Sequence, residues 1–184
     1  TRPITDRAKE PLFESLRSRL PGARVADVFA GTGTLGLEAL SRGAHSCVFI
    51  EQDREAIELL ERNVAALEAR TQCLCWRTDA LRCSFRPRGV PDFVPFDLIF
   101  FDPPYRLIET LRPSTPLYRS LERLGRSTVS AADAMLCLRT PAASDFAVPD
   151  VWQRERTLTV SGMAMHLGGG SRECDTVPRR LLFR

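Results

Sequence analysis

The chain has 184 residues, 43% of them hydrophobic and 27% charged, a composition that predicts one globular domain and excludes a mostly disordered or fibrous chain. The net charge of +3 indicates a polyanionic partner only weakly, although every basic residue except Lys9 is an arginine, the side chain best suited to phosphates and base edges. No apolar run approaches the roughly 20 residues that span a bilayer, and the sequence opens without a signal-peptide pattern, so we expect a monomeric cytoplasmic protein.

The first predicted element is a helix over residues 6–20. Asp6 can cap its start, Pro11 disturbs its early turn, and Pro21-Gly22 ends it. Apolar residues recur along it at helical spacing: Leu12, Phe13, Leu16 and Leu20. The spacing therefore predicts one helix before the first strand.

From Arg24 onward, short apolar runs alternate with stretches of helical periodicity. The apolar runs predict strands over 24–30, 46–51, 72–77, 96–101 and 134–139, and the periodic stretches predict helices over 34–42, 53–69 and 117–126. A Pro/Arg/Gly-rich stretch, 82–95, is predicted to be a loop. Strands separated by such helices imply right-handed crossovers and a parallel sheet with helices on both faces. The predicted fold class is therefore a doubly wound, mostly parallel α/β sheet.

The last part of the sequence departs from this alternation. Residues 155–160 and 163–167 flank a Ser-Gly pair and predict an antiparallel hairpin at the end of the sheet, which distinguishes the fold from a plain dinucleotide-binding domain. Residues 168–184 open with three glycines and are predicted to be a tail. One domain is therefore expected over residues 1–167, with 1–22 as its N-terminal helix and adjoining segment.

The six cysteines never fall in a C-x-x-C pair, and only His45 and His166 could help them to hold a metal, so we expect no metal site. Four of the cysteines lie in apolar runs, as buried free thiols do in reducing compartments: Cys47, Cys73, Cys75 and Cys137. These four are predicted to fill the core.

The turn after the first predicted strand, Gly31-Thr32-Gly33-Thr34-Leu35-Gly36, is a G-x-G-x-x-G sequence that opens a helix. Such glycines admit either the pyrophosphate of a dinucleotide or the ribose and amino-acid end of S-adenosylmethionine. Asp27, inside the preceding strand, favours S-adenosylmethionine, because its carboxylate would repel a pyrophosphate and attract the cofactor's α-ammonium. The residues expected to line this part of the cofactor site are Asp27, Phe29, Ala30, Gly31 and Gly33.

Two further carboxylates follow predicted strands. Glu51 ends the second strand, where its oxygens can accept hydrogen bonds from both ribose hydroxyls with Gln52 beside it, and Asp53 is expected to cap the next helix. Asp79 follows the third strand, where it can accept the adenine amino hydrogen while the Ala80 N–H reaches a ring nitrogen. A loop aspartate is as often only a turn residue. These residues predict a nucleoside-binding edge without choosing between the two cofactors.

The sequence Asp102-Pro103-Pro104-Tyr105 directly follows the fourth predicted strand, at the same sheet edge as the glycine turn. The Asp102 carboxylate and the Pro103 carbonyl can each accept an N–H bond from an exocyclic amino group, which frees the nitrogen lone pair to attack a methyl sulfonium. Tyr105 can stack on the base, and a base inside a duplex or folded RNA must first swing out to reach it. This loop therefore predicts methylation of an exocyclic amine.

Three stretches together resemble the bacterial 16S ribosomal RNA guanine-N2 methyltransferases of the RsmD type: Arg2-Pro3-Ile4-Thr5-Asp6-Arg7, the segment from Asp27 to Ala44, and Asp102-Pro103-Pro104-Tyr105. The resemblance runs from Arg2 to about Leu167. It implies a seven-stranded class I methyltransferase fold that uses S-adenosylmethionine to methylate guanine N2 in small-subunit ribosomal RNA already bound by ribosomal proteins. It assigns to the target base Asp102 and Tyr105, to the cofactor Gly31, Gly33, Glu51 and Asp79, and to the RNA side of the site Arg2, Thr5, Arg7 and Pro104.

Two departures from the family pattern are visible. The short basic, glycine-containing segment that usually precedes Arg-Pro-x-Thr-Asp-Arg is either missing or lies before Thr1, and the fifth strand ends in Leu138-Arg139-Thr140, where an acidic residue is common. Three alternatives stay open: an adenine-N6 or cytosine-N4 methyltransferase acting on DNA or RNA, a nucleotide-binding oxidoreductase, and a catalytically silent RNA-binding relative. The oxidoreductase leaves the Asp102 loop and the hairpin unexplained, and intact Asp102 and Tyr105 argue against a silent relative.

Overall fold

The computed structural model describes residues 6–160 and 162–170. Its strands are β1 (Arg24–Val28), β2 (Ser46–Glu51), β3 (Cys73–Arg77), β4 (Phe96–Phe101), β5 (Ser130–Pro141), β6 (Trp152–Val160) and β7 (Met163–Gly170). Its α-helices are α1 (Asp6–Ser15), α2 (Thr34–Ser41), α3 (Arg54–Ala66), α4 (Tyr105–Ile108) and α5 (Pro116–Leu124). The strands form one sheet in the order β3-β2-β1-β4-β5-β7-β6, in which β1 to β5 run parallel. The predicted doubly wound, mostly parallel α/β class is confirmed.

Strand β4 is buried on both faces and divides the core into two layers. Phe100 points to the layer that contains α1, where its ring lies 5.7 Å from the ring of Phe13. Phe101 points to the opposite layer, which contains α5, and meets the ring of Phe29 edge-on at 5.3 Å. This alternation explains why the strand is apolar at nearly every position, since helices cover both of its sides.

The predicted C-terminal hairpin is confirmed. The tail, however, was predicted to begin at residue 168, which still belongs to the last strand of the hairpin. Strand β7 pairs antiparallel with both β5 and β6, and it includes residues 168–170, the three glycines that were expected to open the tail. A side chain at Gly168 would lie 3.0 Å from the carbonyl oxygen of Gln153, so the close approach of the β6 backbone requires glycine there. The remaining tail residues, 171–184, lie outside the described part of the chain.

Other differences follow from tertiary context. Helix α1 ends at Ser15 and continues only as turns, strand β5 begins earlier than predicted, at Ser130, and the short helix α4 was not predicted. Cys47 and Cys137 are buried as expected. The other two predicted core cysteines, Cys73 and Cys75, are only partly buried, because β3 is an edge strand.

Residues 6–160 and 162–170 contain neither a metal-binding cluster nor a membrane-spanning helix. No three His, Cys, Asp or Glu side chains there come together in a way that could hold a metal ion. No helix in that part of the chain is long and apolar enough to cross a membrane. The described cysteines are all free thiols, and Cys174 lies outside the described residues.

Candidate active site

The glycine turn and the Asp102 loop meet at the carboxyl edge of the parallel strands. Val28 at the end of β1 lies opposite Phe101 at the end of β4, so the two segments leave neighbouring strands side by side. The Asp102 N–H donates to the Val28 carbonyl at 3.2 Å, which ties the loop to the base of the turn. The predicted neighbourhood of the two motifs is therefore present in the fold.

The glycine turn is held in an unusual backbone conformation. Phe29 has a φ of 63° and Gly33, which precedes α2, a φ of 84°. A side chain at Gly33 would also collide with Leu60 of α3. Asp27 lies beneath the turn, and its Oδ2 accepts the Gly36 N–H at 2.8 Å. The Asp27 side chain thus fixes the first turn of α2 against β1.

Burial changes the protonation of Asp27. Its side chain is only 2% exposed, and desolvation is the main cause that raises its pKa to about 8. The Gly36 N–H opposes this shift, whereas the negative charges of Asp102 and Glu51 add to it. In the absence of a bound cation, Asp27 is therefore mostly protonated at neutral pH, and its predicted attraction for an α-ammonium requires the loss of that proton.

Glu51 organises the neighbouring part of the edge. Its Oε2 accepts the Gly31 N–H at 2.9 Å, and its Oε1 accepts the N–H groups of Gln52 and Asp53 at 2.8 and 2.9 Å. A carboxylate offers about four lone-pair positions, so Oε2 can still accept a hydrogen bond from a ribose hydroxyl. Asp53 caps α3 through the Ala56 N–H at 2.8 Å, as predicted.

Asp79 is a turn residue in the described structure. Its Oδ1 accepts the Leu81 N–H at 2.8 Å, and its Oδ2 lies 3.6 Å from Nε of Arg82. The turn is close to Glu51, whose carbonyl accepts the N–H of Thr78 at 2.9 Å. Ala80 is buried behind the turn. The predicted contacts of Asp79 and Ala80 with adenine stay predictions, and both residues lie on the correct edge for them.

The Asp102 loop contains an ion pair that sequence reasoning missed. Nε of Arg139 lies 2.7 Å from Oδ1 of Asp102, and the Arg139 guanidinium carbon lies 5.7 Å from the ring centroid of Tyr105. Pro103 is buried between the strand and α4, while Pro104 and Tyr105 are partly exposed. The sequence signal was a charge at the end of the apolar run Ala134–Arg139, which was noted only as a departure from the family pattern.

Two opposing effects set the protonation of Asp102. Desolvation is the largest and raises its pKa, while the positive charge of Arg139 and its direct contact lower it, so that the pKa lies at about 6. The group is therefore mostly a carboxylate at neutral pH and can accept a hydrogen bond from an amine.

The predicted RNA-side residues are mostly beyond the described structure. Arg2 and Thr5 lie outside the described residues, and Arg7 belongs to α1 without a described side chain. Pro104 is partly exposed at the rim of the loop.

The side chains at this edge fit an adenosyl cofactor with a cationic end. Asp27, Glu51 and Asp102 bring carboxyl groups close enough that their charges interact. Carboxylates favour an ammonium and a sulfonium and disfavour a pyrophosphate. The chemistry of these groups therefore matches S-adenosylmethionine better than a dinucleotide.

Comparison with known proteins gives a consistent family. The model of the family described as "Conserved hypothetical protein 95" matches residues 1–154. The "Putative rRNA methyltransferase YlbH" of Bacillus subtilis is 40% identical over 110 residues, 58% of this chain and 56% of that protein. The "Ribosomal RNA small subunit methyltransferase D" of Escherichia coli is 40% identical over 106 residues, 57% of this chain and 50% of that protein. The chain thus spans about half the length of these curated relatives.

Solved structures support the same fold. The structure described as "Putative methyltransferase yhhF" from Escherichia coli is 28% identical, with a TM-score of 0.76 over 94% of this chain and 90% of that one. An RNA methyltransferase from Salinibacter ruber, solved with S-adenosyl-L-homocysteine, is 12% identical, with a TM-score of 0.66 over 99% of this chain and 100% of that one. The Escherichia coli structure is similar to this chain in both sequence and fold. The Salinibacter ruber structure is similar in fold alone.

Proposed function

We propose, since the chain belongs to the Conserved hypothetical protein 95 family of RsmD-type proteins, that it is an S-adenosylmethionine-dependent methyltransferase acting on an exocyclic amino group of a nucleic-acid base. The observation that carries this proposal is the position of Asp102-Pro103-Pro104-Tyr105 against the glycine turn, with the Asp102 N–H on the Val28 carbonyl. A base held by that loop would face a cofactor held by that turn.

The residues of the site divide the work between cofactor and base. S-adenosylmethionine, when bound, supplies an electrophilic methyl group on a sulfonium. Glu51 would accept a hydrogen bond from a ribose hydroxyl, and the turn backbone and Asp27, once deprotonated, would hold the amino-acid end. The Asp102 carboxylate accepts one N–H of the amine and turns the nitrogen lone pair toward the methyl carbon, while Tyr105 fixes the base plane. The new N–C bond would form as the bond between the sulfonium sulfur and the methyl carbon breaks, S-adenosylhomocysteine would leave as a neutral thioether, and the nitrogen would lose one proton to solvent.

The proposed substrate is guanine N2 in small-subunit ribosomal RNA. The curated relatives are named as ribosomal RNA methyltransferases, and the proposal transfers that substrate class to this chain. The motifs from Arg2 to Tyr105 support the guanine-N2 subclass through the family resemblance. Because the loop chemistry suits any exocyclic amine, adenine N6 and cytosine N4 are the competing targets.

Methyl transfer from labelled S-adenosylmethionine tests the reaction and its target together. We expect label in 30S particles lacking the modification, less in naked 16S RNA and none in duplex DNA, with the label located on guanine N2. Asp102→Ala should abolish it, whereas Asp92→Ala, which removes an exposed carboxylate away from the site, should not. Full transfer by the Asp102→Ala protein would remove this residue from the mechanism.

Ligand-induced stabilisation tests the cofactor independently of any RNA. A ligand that binds only the folded protein raises its melting temperature. S-adenosylhomocysteine should do so and NAD should not. Stabilisation by NAD alone would favour the oxidoreductase.

A further inference from the structure

Arg139 is a charged residue in an otherwise apolar part of the core. It lies on β5 directly after Leu138, which pairs with Phe101 of β4, so the parallel register places Arg139 beside Asp102. Its side chain is 1% exposed. The four residues before it on the strand are Met135, Leu136, Cys137 and Leu138, all buried. A guanidinium buried at this place in the strand needs a partner for its charge.

Burial of a guanidinium costs several kcal/mol unless a carboxylate is held in good geometry beside it. Asp102 supplies the opposite charge, with 2.7 Å between Oδ1 and Nε. The same guanidinium faces the Tyr105 ring at 5.7 Å, within the range of a cation–π interaction. One buried side chain therefore contacts both residues that are expected to hold the target base.

We propose that Arg139 is a positioning residue of the methylation site, an inference that rests on the proposed function. It keeps Asp102 in the carboxylate form and occupies Oδ1, so that Oδ2 is presented to the N–H of the target amine. It also fixes the plane of Tyr105 on which the base stacks.

The charges around Asp102 explain why such a residue is needed. Among the described residues, Asp27 on β1 is the neighbouring acid and Arg139 on β5 is the cation that opposes protonation, while Tyr105 on α4 contributes an aromatic face. Burial alone would leave Asp102 as a neutral acid. A neutral carboxyl donates through its O–H and is a much weaker acceptor. It would donate a hydrogen bond to the amine nitrogen and occupy the lone pair, instead of accepting the amine N–H.

The expected effect follows from the strength of a close opposite charge. Such a charge lowers the pKa of a carboxyl by about one to three units. The pKa of Asp102 is about 6, so the carboxylate predominates at pH 7. Removing the charge with Arg139→Gln should shift the acid limb of kcat upward by about two pH units, which is roughly a tenfold loss at pH 7 with recovery near pH 9.

The test combines kinetics with a direct titration. We would measure the pH profile of methyl transfer, and the ¹³C signal of the Asp102 carboxyl, in the full chain and in Arg139→Gln, Arg139→Met and Arg139→Lys. The neutral variants should move both midpoints upward, and lysine should restore them. If the Arg139→Met protein does not fold, Arg139→Gln still gives the neutral variant, because its amide keeps hydrogen-bonding capacity.

Arg24→Met is the matched control. Arg24 pairs with Asp97 at 3.0 Å at the opposite end of the sheet, so its loss removes an inter-strand arginine–aspartate pair from β4 without touching the site. It should leave both midpoints unchanged. A carboxyl midpoint in Arg139→Gln equal to that of the wild type would overturn the inference. Absence of methyl transfer by the wild type on every nucleic acid would instead overturn the proposed function, and the carboxyl titration would still decide the role of Arg139.

Discussion

Replacement of Asp27 by asparagine should remove a pH dependence from the stability of the cofactor-free protein. The asparagine side-chain carbonyl can still accept the Gly36 N–H, so the turn should keep its anchor. Because burial raises the pKa of Asp27 from its ordinary 3.8 to about 8, the folded protein keeps a proton on this group that the unfolded chain has already lost. The contribution of Asp27 to the free energy of unfolding is therefore largest at low pH, and it falls as the pH rises between these two values.

The size of this effect follows from proton linkage. One proton held only by the folded state gives a slope of about 1.4 kcal/mol per pH unit, which is about 3 kcal/mol between pH 5 and pH 7. For a domain of this size, the same difference corresponds to roughly 6 to 12 °C in melting temperature. Asp102, with its pKa raised to about 6, adds a similar loss at lower pH in both proteins, so it cancels in the comparison.

Urea unfolding of the cofactor-free protein at pH 5, 6 and 7 measures the slope. The wild type should lose about 3 kcal/mol more than Asp27→Asn over this interval, whatever constant cost the buried amide N–H₂ adds. Asp92→Asn, which removes an exposed charge, should follow the wild type. Parallel curves for wild type and Asp27→Asn would show that Asp27 is ionised in the folded protein and would refute the argument from burial.

Two further substitutions test local features of the site. Gly33→Ala should lower the free energy of unfolding in urea by about 2 to 4 kcal/mol, since it adds a left-handed φ penalty to a collision with Leu60, whereas Gly162→Ala, with a φ of 77° and open space, should lose only about 1 kcal/mol. Equal losses would contradict the role of Leu60. Arg123→Met should speed amide hydrogen exchange in residues 78–85, because Arg123 donates to the carbonyls of Leu81 and Cys83 at 2.8 and 2.9 Å, and unchanged exchange there would contradict it.

The sequence allowed the sheet, and the meeting of the glycine turn and the Asp102 loop at its carboxyl edge, to be predicted because both follow local rules. Apolar runs between helices specify a parallel sheet, and parallel strands bring their carboxyl-end turns to one edge, which places Gly33 and Asp102 together. The hairpin could be predicted because two strand-like segments flank a Ser-Gly turn.

The remaining features depend on partners distant in sequence. Nothing near Arg139 indicates that it meets Asp102, because that contact is set by the β4–β5 register. The partial exposure of Cys73 depends on β3 being an edge strand, and the strand character of Gly168 depends on its close approach to β6. The burial that changes the protonation of Asp27 likewise comes from packing that composition does not encode.

The place of β7 between β5 and β6 has a consequence for biosynthesis. It is the last strand of the described chain, yet it covers the edge of β5, with Arg139 opposite Met165. A polypeptide that leaves the ribosome N-terminus first therefore completes β5 while that edge has no partner, and an unpaired edge is prone to association with other chains. The strand that carries Arg139 is covered only when the hairpin has been synthesised, so the site matures after β7 has been made although its motifs are made early.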